Sequence, residues 1–255
     1  MKNNRATIRS ALLSITLIIV LTGCSSEIKR AIPDSEFPIT WNNGFTMVDL
    51  LESSDNFVLT SKADLAQLIN ASWYAEFDMI NTRSGKSSFN TCQNLFDDSL
   101  SSTRTQQDSA YSAYLEFKIM CAATKILINS RSSKASYIPP TVFTENTPNI
   151  FPKNLAVQTS TLESKRLLKD SEIINWSDAT PITSYKLLSN EKAVYFNDGV
   201  TQELEVVGTG DVNDDSIEDL LIVTRDSLND GNYFNMRLFI LSVDQYENWS
   251  VIKEL

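Results

Sequence analysis

Two different spacings of apolar residues divide the chain. In its first half, apolar positions recur every three or four residues, which is the spacing of one face of an α-helix. The strongest such segment is 107–130, whose predicted buried face consists of Tyr111, Leu115, Ile119, Ala122 and Ile126. A shorter helix is predicted directly after Ser61, because Ser61 and Asp64 have the spacing of an N-terminal cap.

In the second half, short runs of β-forming residues alternate with turn residues, a pattern typical of β-strands. The predicted strands are 185–188, 193–196, 204–207, 220–224, 233–243 and 249–252. Two Asn-Asp-Gly sequences, at 197–199 and 229–231, predict hairpin turns, because these residues tolerate the backbone that a tight turn needs. Residues 161–169 are predicted as a short helix within this half.

Together the two halves predict the α+β class, with a helical N-terminal part packed beside a C-terminal antiparallel β-meander. We expect residues 41–140 to be mainly helical, with Pro139 and Pro140 ending this part. We expect residues 141–255 to be mainly β.

An acidic stretch joins two of the predicted strands. Oxygen-bearing side chains stand at positions 1, 3, 5 and 9 of this loop, and a backbone carbonyl at position 7: Asp211, Asn213, Asp215, Asp219 and Ile217. A calcium ion takes about six to eight oxygen ligands, and clustered carboxylates without a cation repel one another. The loop is therefore a candidate calcium site. An acidic hairpin turn without a metal, in which Asn and Asp bond the local backbone, explains the same residues.

The spacing Asp-x-Asn-x-Asp-x-x-x-Asp resembles the calcium loops of FG-GAP and integrin-type repeats. The resemblance implies that these five residues bind one calcium ion. Ser216 departs from the family, which has Gly where the chain turns sharply, and a positive φ at this serine should cost up to about 1 kcal/mol. An EF-hand is excluded, because position 12 is Ile222 in an apolar run instead of a bidentate Glu. Residues 206–241 also resemble the C-terminal segment of uncharacterised bacterial envelope lipoproteins, which implies no activity.

The N-terminus has the organisation of a secretion signal. Lys2, Arg5 and Arg9 precede an apolar stretch at 11–21. This stretch is shorter than the roughly 20 residues that a membrane-spanning helix needs. The sequence Leu21-Thr22-Gly23-Cys24 resembles the lipobox of bacterial lipoproteins.

The lipobox resemblance implies that residues 1–23 are a cleaved signal peptide. Cys24 would then carry diacylglycerol and an acyl chain, which anchor the protein in a membrane. Residues 24–40 are poor in apolar side chains and would form a lipidated tether. Ser25, where an Asp would retain the protein in the inner membrane, implies sorting to the outer membrane. We therefore expect an outer-membrane lipoprotein on the periplasmic face.

The other two cysteines are Cys92 and Cys121. Because the periplasm is oxidising, we predict a disulfide between them. Such a bridge closes a loop of about 30 residues and would stabilise the fold by roughly 3 to 4 kcal/mol. Two buried free thiols are the alternative.

The charge and composition exclude several classes of function. The chain has 22 Lys and Arg against 32 Asp and Glu, for a net charge of −10. Loss of Lys2, Arg5 and Arg9 with the signal peptide would change this to −13. Without a basic patch, the chain is not expected to bind nucleic acid. It has no histidine, which excludes Ser-His-Asp and Cys-His catalysis and zinc sites built on histidine.

Two functions remain. We favour a binding or structural module, held at the membrane by its lipid, that docks an envelope protein and is stabilised by one calcium ion. The alternative is a lipid-tethered cell-wall hydrolase using paired carboxylates, either Glu76 and Asp78 or Glu203 and Glu205. Residues two apart on a strand lie about 7 Å from each other on one face. Charged residues in such alternation are more often the solvated face of a sheet, and we interpret both pairs in this way.

Overall fold

The structure is a computed structural model that describes residues 36–42, 51–52, 59–82, 85–98 and 102–255. The predicted signal peptide, the lipidation site Cys24 and most of the predicted tether lie outside these residues. Within the described ranges, no helix combines the length and apolar character needed to cross a bilayer.

Helices and a small sheet make up the N-terminal part. Its elements are β1 (Thr40–Trp41), α1 (Lys62–Leu68), β2 (Phe77–Asn81), β3 (Ser87–Phe89), α2 (Cys92–Asp98), β4 (Ser102–Thr105) and α3 (Tyr111–Asn129). Strands β2, β3 and β4 form a three-stranded sheet in the order β3-β2-β4. The predicted cap of α1 is confirmed, because Ser61 and Asp64 bond each other's backbone amides reciprocally.

The C-terminal part begins with short helices and ends in a long antiparallel sheet. Its elements are α4 (Thr147–Ile150), α5 (Thr161–Lys169), α6 (Trp176–Ala179), β5 (Ser184–Ser189), β6 (Lys192–Asn197), β7 (Val200–Gly210), β8 (Asp219–Leu228), β9 (Phe234–Val243) and β10 (Trp249–Glu254). Consecutive strands pair in the order β10-β9-β8-β7-β6-β5. The predicted α+β class with a C-terminal β-meander is confirmed. The strands begin only at Ser184, and short helices and turns precede them.

One face of the long sheet packs against the N-terminal helices. Side chains two apart on a strand point to the same face, and here Leu221 and Val223 of β8 lie beside Val207 of β7. They share one apolar core with the helices and the small sheet, including Leu65, Leu68, Phe77, Phe117 and Leu127. Helix α3, predicted from its spacing, thus covers the sheet, but the prediction that Tyr111 belongs to its buried face is wrong, because this side chain at the start of the helix is 43% exposed.

The other face of the sheet is covered by residues 142–179. Leu220 and Ile222 alternate with the β8 residues of the first face and enter a second apolar core. Its other members include Phe151, Leu155, Trp176, Tyr195, Leu204 and Phe239. Strand β8 is therefore buried on both faces, and the sheet is the middle of three layers.

Cys92 and Cys121 form a disulfide, as predicted, with their Cα atoms 5.3 Å apart. Both residues are fully buried. Cys92 is the first residue of α2 and Cys121 lies within α3, so the bridge fixes α2 to the helix that lies on the sheet.

Strand β1 adds to the long sheet beside the end of β7. Thr40 lies opposite Thr209, and Trp41 lies opposite Gly208. A Cβ atom on Gly208 would come within 2.3 Å of the Thr40 carbonyl oxygen, so this approach requires glycine. The chain that follows the predicted tether therefore joins the strand that leads into the acidic loop.

Candidate functional site

The acidic loop connects β7 to β8 at one end of the long sheet. Gly210 pairs with Asp219 at the base of this hairpin. Asp214 and Ser216 have left-handed backbone conformations, with φ of 65° and 70°. Ser216 therefore makes the turn for which the resembled family uses Gly, at a cost of about 1 kcal/mol.

Asp211 and Asp215 hold the loop through its own backbone amides. Asp211 accepts hydrogen bonds from the amides of Asp215 at 3.1 Å and Ser216 at 2.9 Å. Asp215 accepts from the amide of Ile217 at 2.7 Å and from the side-chain amide of Asn213 at 2.9 Å. A carboxylate oxygen has more than one lone pair, so an oxygen that accepts an N–H can still bind a cation.

Asp219 is the least satisfied carboxylate of the loop. Its side chain is fully buried, and its Oδ2 accepts from the amide of Val212 at 2.9 Å. Its Oδ1 has no hydrogen-bond partner in the described chain, although the hydroxyl of Ser242 lies near enough to favour the ionised form. A buried acceptor without a donor costs about 1 to 3 kcal/mol, and more when it is charged.

The pKa of Asp219 reflects this environment. The pKa of Asp219 is raised to about 6, first by burial and then by the negative charges of Asp215 and Asp211. The Val212 amide and the Ser242 hydroxyl oppose these effects. Near neutral pH the buried group is therefore an anion for which the described residues provide no cation.

The segment that follows α3 packs along the loop. The backbones of Arg131 and Asp211 exchange two hydrogen bonds, of 2.9 and 2.8 Å, and the amide of Glu218 donates to Ala135 at 2.8 Å. The guanidinium of Arg131 also contacts the carboxylate of Asp214 at 3.1 Å, with both side chains mostly exposed. The backbone bonds hold the loop at both ends, whereas an exposed ion pair contributes less than about 1 kcal/mol.

The five predicted metal residues are partly brought together. Asp211 and Asp215 both lie close enough to Asp219 to raise its pKa, and Asn213 contacts Asp215 directly. Ile217 lies opposite Ala135 in a β-bridge. Within the described residues, no three His, Cys, Asp or Glu side chains form a ready-made metal cluster. The donors are nevertheless all oxygen atoms, which suits a hard cation such as calcium.

Glu203 and Glu205 are only partly exposed and form ion pairs beneath a helix, so our interpretation of this pair as a solvated face is wrong. Arg225 of β8 contacts Glu203 at 3.2 Å and Glu205 at 2.7 Å, and its Nε donates to Glu116 of α3 at 2.7 Å. Lys192 contacts Glu203 at 2.7 Å. Helix α3 covers this cluster, so the two carboxylates neutralise cations between two layers.

Glu76 and Asp78 are exposed, as the interpretation of a solvated face requires. Glu76 accepts a hydrogen bond from the hydroxyl of Ser88 at 2.8 Å. Asp78 lies on β2 of the small sheet, and Glu76 lies directly before this strand.

A second charged cluster lies on the opposite face of the long sheet. Asp226 is fully buried and accepts from Arg237 at 3.0 Å and from Gln202 at 2.9 Å. Arg237 also donates to the carbonyls of residues 154–156, at 2.8 to 3.2 Å. Trp176 donates to the side-chain oxygen of Gln202 at 2.8 Å. Burial raises the pKa of Asp226, while Arg237 and Gln202 oppose the shift.

Sequence reasoning missed both clusters. The one signal was the adjacent opposite charges of Arg225 and Asp226, which follow the apolar run 220–223 after a single threonine. Comparison of the chain with protein-family models, with curated proteins and with solved structures finds no match. The function must therefore be inferred from the geometry of the chain itself.

Proposed function

We propose that the protein is a lipid-anchored binding or structural module on the periplasmic face of the outer membrane. Its lipid would be carried by Cys24, and one calcium ion in the loop 211–219 would stabilise its sheet. Asp219 carries this proposal, because its buried Oδ1 has no hydrogen-bond partner among the residues that the structure describes, and its neighbours Asp211 and Asp215 are acidic. A divalent cation would satisfy this oxygen and cancel the repulsion among the three carboxylates.

The ion pairs of Glu203 and Glu205 support a module over the cell-wall hydrolase. A catalytic carboxylate pair needs access to substrate, whereas these two side chains are engaged by Arg225 and Lys192 under α3. Their arrangement stabilises the contact between a helix and a sheet.

Calcium should raise the thermal stability of the purified protein. A ligand that binds only the folded state stabilises it by about 2.7 kcal/mol at a hundredfold excess over its Kd. We expect this rise in wild type, measured by circular dichroism with calcium and with a chelator. Asp215→Ala and Asp219→Asn should lose it.

Asp214→Asn is the matched control for the calcium effect. Asp214 belongs to the same loop, but it is exposed and pairs with Arg131, so this variant should respond to calcium as wild type does. Equal responses from Asp219→Asn and wild type would remove the basis of the calcium proposal.

The calcium-free protein should also show the titration of Asp219. The carboxyl titrates near pH 4 when unfolded and at about 6 when folded. Between these values the folded state binds more protons, so the free energy of unfolding falls as the pH rises from about 4 to about 6. The fall should be on the order of 2 kcal/mol. It should be absent from Asp219→Asn and from wild type saturated with calcium.

The lipid anchor is tested separately by metabolic labelling with a palmitate analogue. Wild type should be labelled and Cys24→Ala should not, because the thiol is the attachment site in the lipobox family. Ser25→Asp should keep the label and move the protein to the inner-membrane fraction. Labelled Cys24→Ala protein would show that the lipid is attached elsewhere.

A further inference from the structure

An open cleft of about 530 Å³ lies at the end of β8 that is distant from the acidic loop. Three separate segments line it: Tyr111 at the start of α3, residues 158–164 around the start of α5, and residues 232–235 at the turn into β9. The 10 residues of β8 separate it from the loop by about 30 Å. The cleft is therefore distinct from the proposed calcium site.

The lining of the cleft is uncharged. About a fifth of the chain is Asp, Glu, Lys or Arg, but every lining side chain is aromatic or carries a hydroxyl or an amide. The aromatic residues are Tyr111, Tyr233 and Phe234. A volume of this size is typical of a site for a small ligand, and the absence of charge in the lining favours a neutral one.

The floor of the cleft is fixed, whereas several groups at its surface are free. Tyr233 donates to the carbonyl of Gln158 at 2.7 Å, which ties the turn before β9 to the segment before α5. Tyr111 is 43% exposed. Its hydroxyl and the side chains of Thr161, Ser164 and Asn232 have no hydrogen-bond partner among the described residues. The cleft thus offers an open aromatic ring beside unused donors and acceptors.

The start of α5 is not available to an anion. The carboxylate of Glu163 accepts from the hydroxyl of Thr159 at 2.6 Å and from its amide at 2.9 Å. These bonds, the hydroxyl bond first, lower the pKa of Glu163, so it is ionised at neutral pH. A negative charge already occupies the end of the helix where an anion would otherwise be favoured.

We propose that this cleft binds a neutral oligosaccharide. The apolar C–H face of one sugar ring packs on the exposed ring of Tyr111, and the sugar hydroxyls bond the free groups of Thr161, Ser164 and Asn232. An aromatic ring with a polar edge suits a ligand that is apolar on one side and hydrated on the other. This inference does not rest on the calcium site or on the lipid anchor.

The test is calorimetric titration of the purified protein with three neutral trisaccharides: cellotriose, maltotriose and chitotriose. At least one should bind at millimolar concentration or below. Tyr111→Ala should weaken that binding about tenfold or more, because the ring provides the packing surface. Tyr111→Phe keeps the ring and should lose less.

Tyr246→Ala is the matched control, since Tyr246 is also an exposed tyrosine, at 75%, but lies in the turn after β9. It should bind as wild type does, and a calcium chelator should leave the affinity unchanged. Lack of binding by all three sugars would overturn the proposal, as would equal affinities of Tyr111→Ala and wild type. Binding of an uncharged capped peptide, N-acetyl-tetraalanine amide, in place of the sugars would also overturn it.

Discussion

Arg225 and Asp226 are neighbours on β8, and they form ion pairs on opposite faces of the sheet. On the helical side, the carboxylates that contact Arg225 retain 11 to 26% of their exposure. On the other side, Asp226 is fully buried, and the side chain of its partner Arg237 is only 8% exposed. The same kind of interaction therefore occurs in a partly hydrated and in a dehydrated setting, one residue apart.

The degree of hydration around an ion pair decides what can replace a partner that is lost by substitution. On the helical side, water reaches the carboxylates, and Lys192 already contacts Glu203. Around Asp226, the side-chain amide of Gln202 is the other donor among the described residues. Breaking a dehydrated pair leaves a charge that cannot be solvated, which costs far more than breaking a hydrated one. We therefore expect the burial of each cluster, more than the number of its bonds, to decide how much stability is lost when an ion pair is broken.

Arg237→Met should give the larger effect. It leaves Asp226 as a buried anion and removes the donors of the carbonyls at 154–156, so the free energy of unfolding should fall by about 3 to 5 kcal/mol. Equilibrium unfolding in urea measures this loss. Burial raises the pKa of Asp226 already in wild type, so the stability of the variant should fall as the pH rises above about 4, where this carboxyl ionises in the unfolded chain.

The double variant Asp226→Leu with Arg237→Met separates the buried charge from lost packing. Replacing both partners by apolar groups removes the unpaired charge, so the double variant should be more stable than Arg237→Met alone. A double variant that is less stable than the single one would mean that the charge of Asp226 is not the cause.

Arg225→Met should give the smaller effect, a loss of about 1 to 2 kcal/mol. Glu116, Glu203 and Glu205 then repel one another, but water and Lys192 partly compensate. Sodium chloride should reduce the loss, because ions screen charges that solvent can reach. The same unfolding measurement, made at low and at high salt, tests both expectations.

Glu116→Gln is the control for the helical side. It keeps the shape of the side chain and removes only the charge that α3 contributes, so its effect should be smaller than that of Arg225→Met. A loss from Arg225→Met that equals the loss from Arg237→Met, and does not change with salt, would contradict the ranking by burial.

Features that depend on local chemistry could be predicted from the sequence. The cap at Ser61, the turn at 197–199 and the helix at 161–169 all occur as predicted. In each case the residues that cause the feature are adjacent in the chain. The six strands could also be predicted, because their apolar runs are bounded by turn residues.

The extents of β7 and β8 could not be predicted. The patterns predicted 204–207 and 220–224, whereas the strands run from Val200 to Gly210 and from Asp219 to Leu228. From the sequence alone, the charged residues Arg225 and Asp226 are expected to be exposed to solvent. Their partners come from α3, β7 and β9, and the register that places Glu203 opposite Arg225 is known only after folding.

The candidate sites also have local features that could be predicted from the sequence and features that depend on folding and could not. The spacing predicted the grouping of Asp211, Asp215 and Asp219, because all belong to one short loop. It could not predict that Asp219 is buried and that its Oδ1 has no hydrogen-bond partner in the part of the chain that the structure describes, since this environment forms only when the sheet is assembled. The cleft was missed entirely, because its three segments meet only in the folded chain.

The attachment of β1 has a mechanical consequence. A pulling force that enters the described chain from its N-terminal side first meets the two hydrogen bonds between Phe37 and Ser133, and then the pairing of Thr40 with Thr209. These few bonds would be loaded one after another and would peel apart before the ten-residue strands β8 and β9 bore any load. The first segment to yield is thus also the one beside the acidic loop, so tension would open the loop's surroundings while the three-layered core stayed intact.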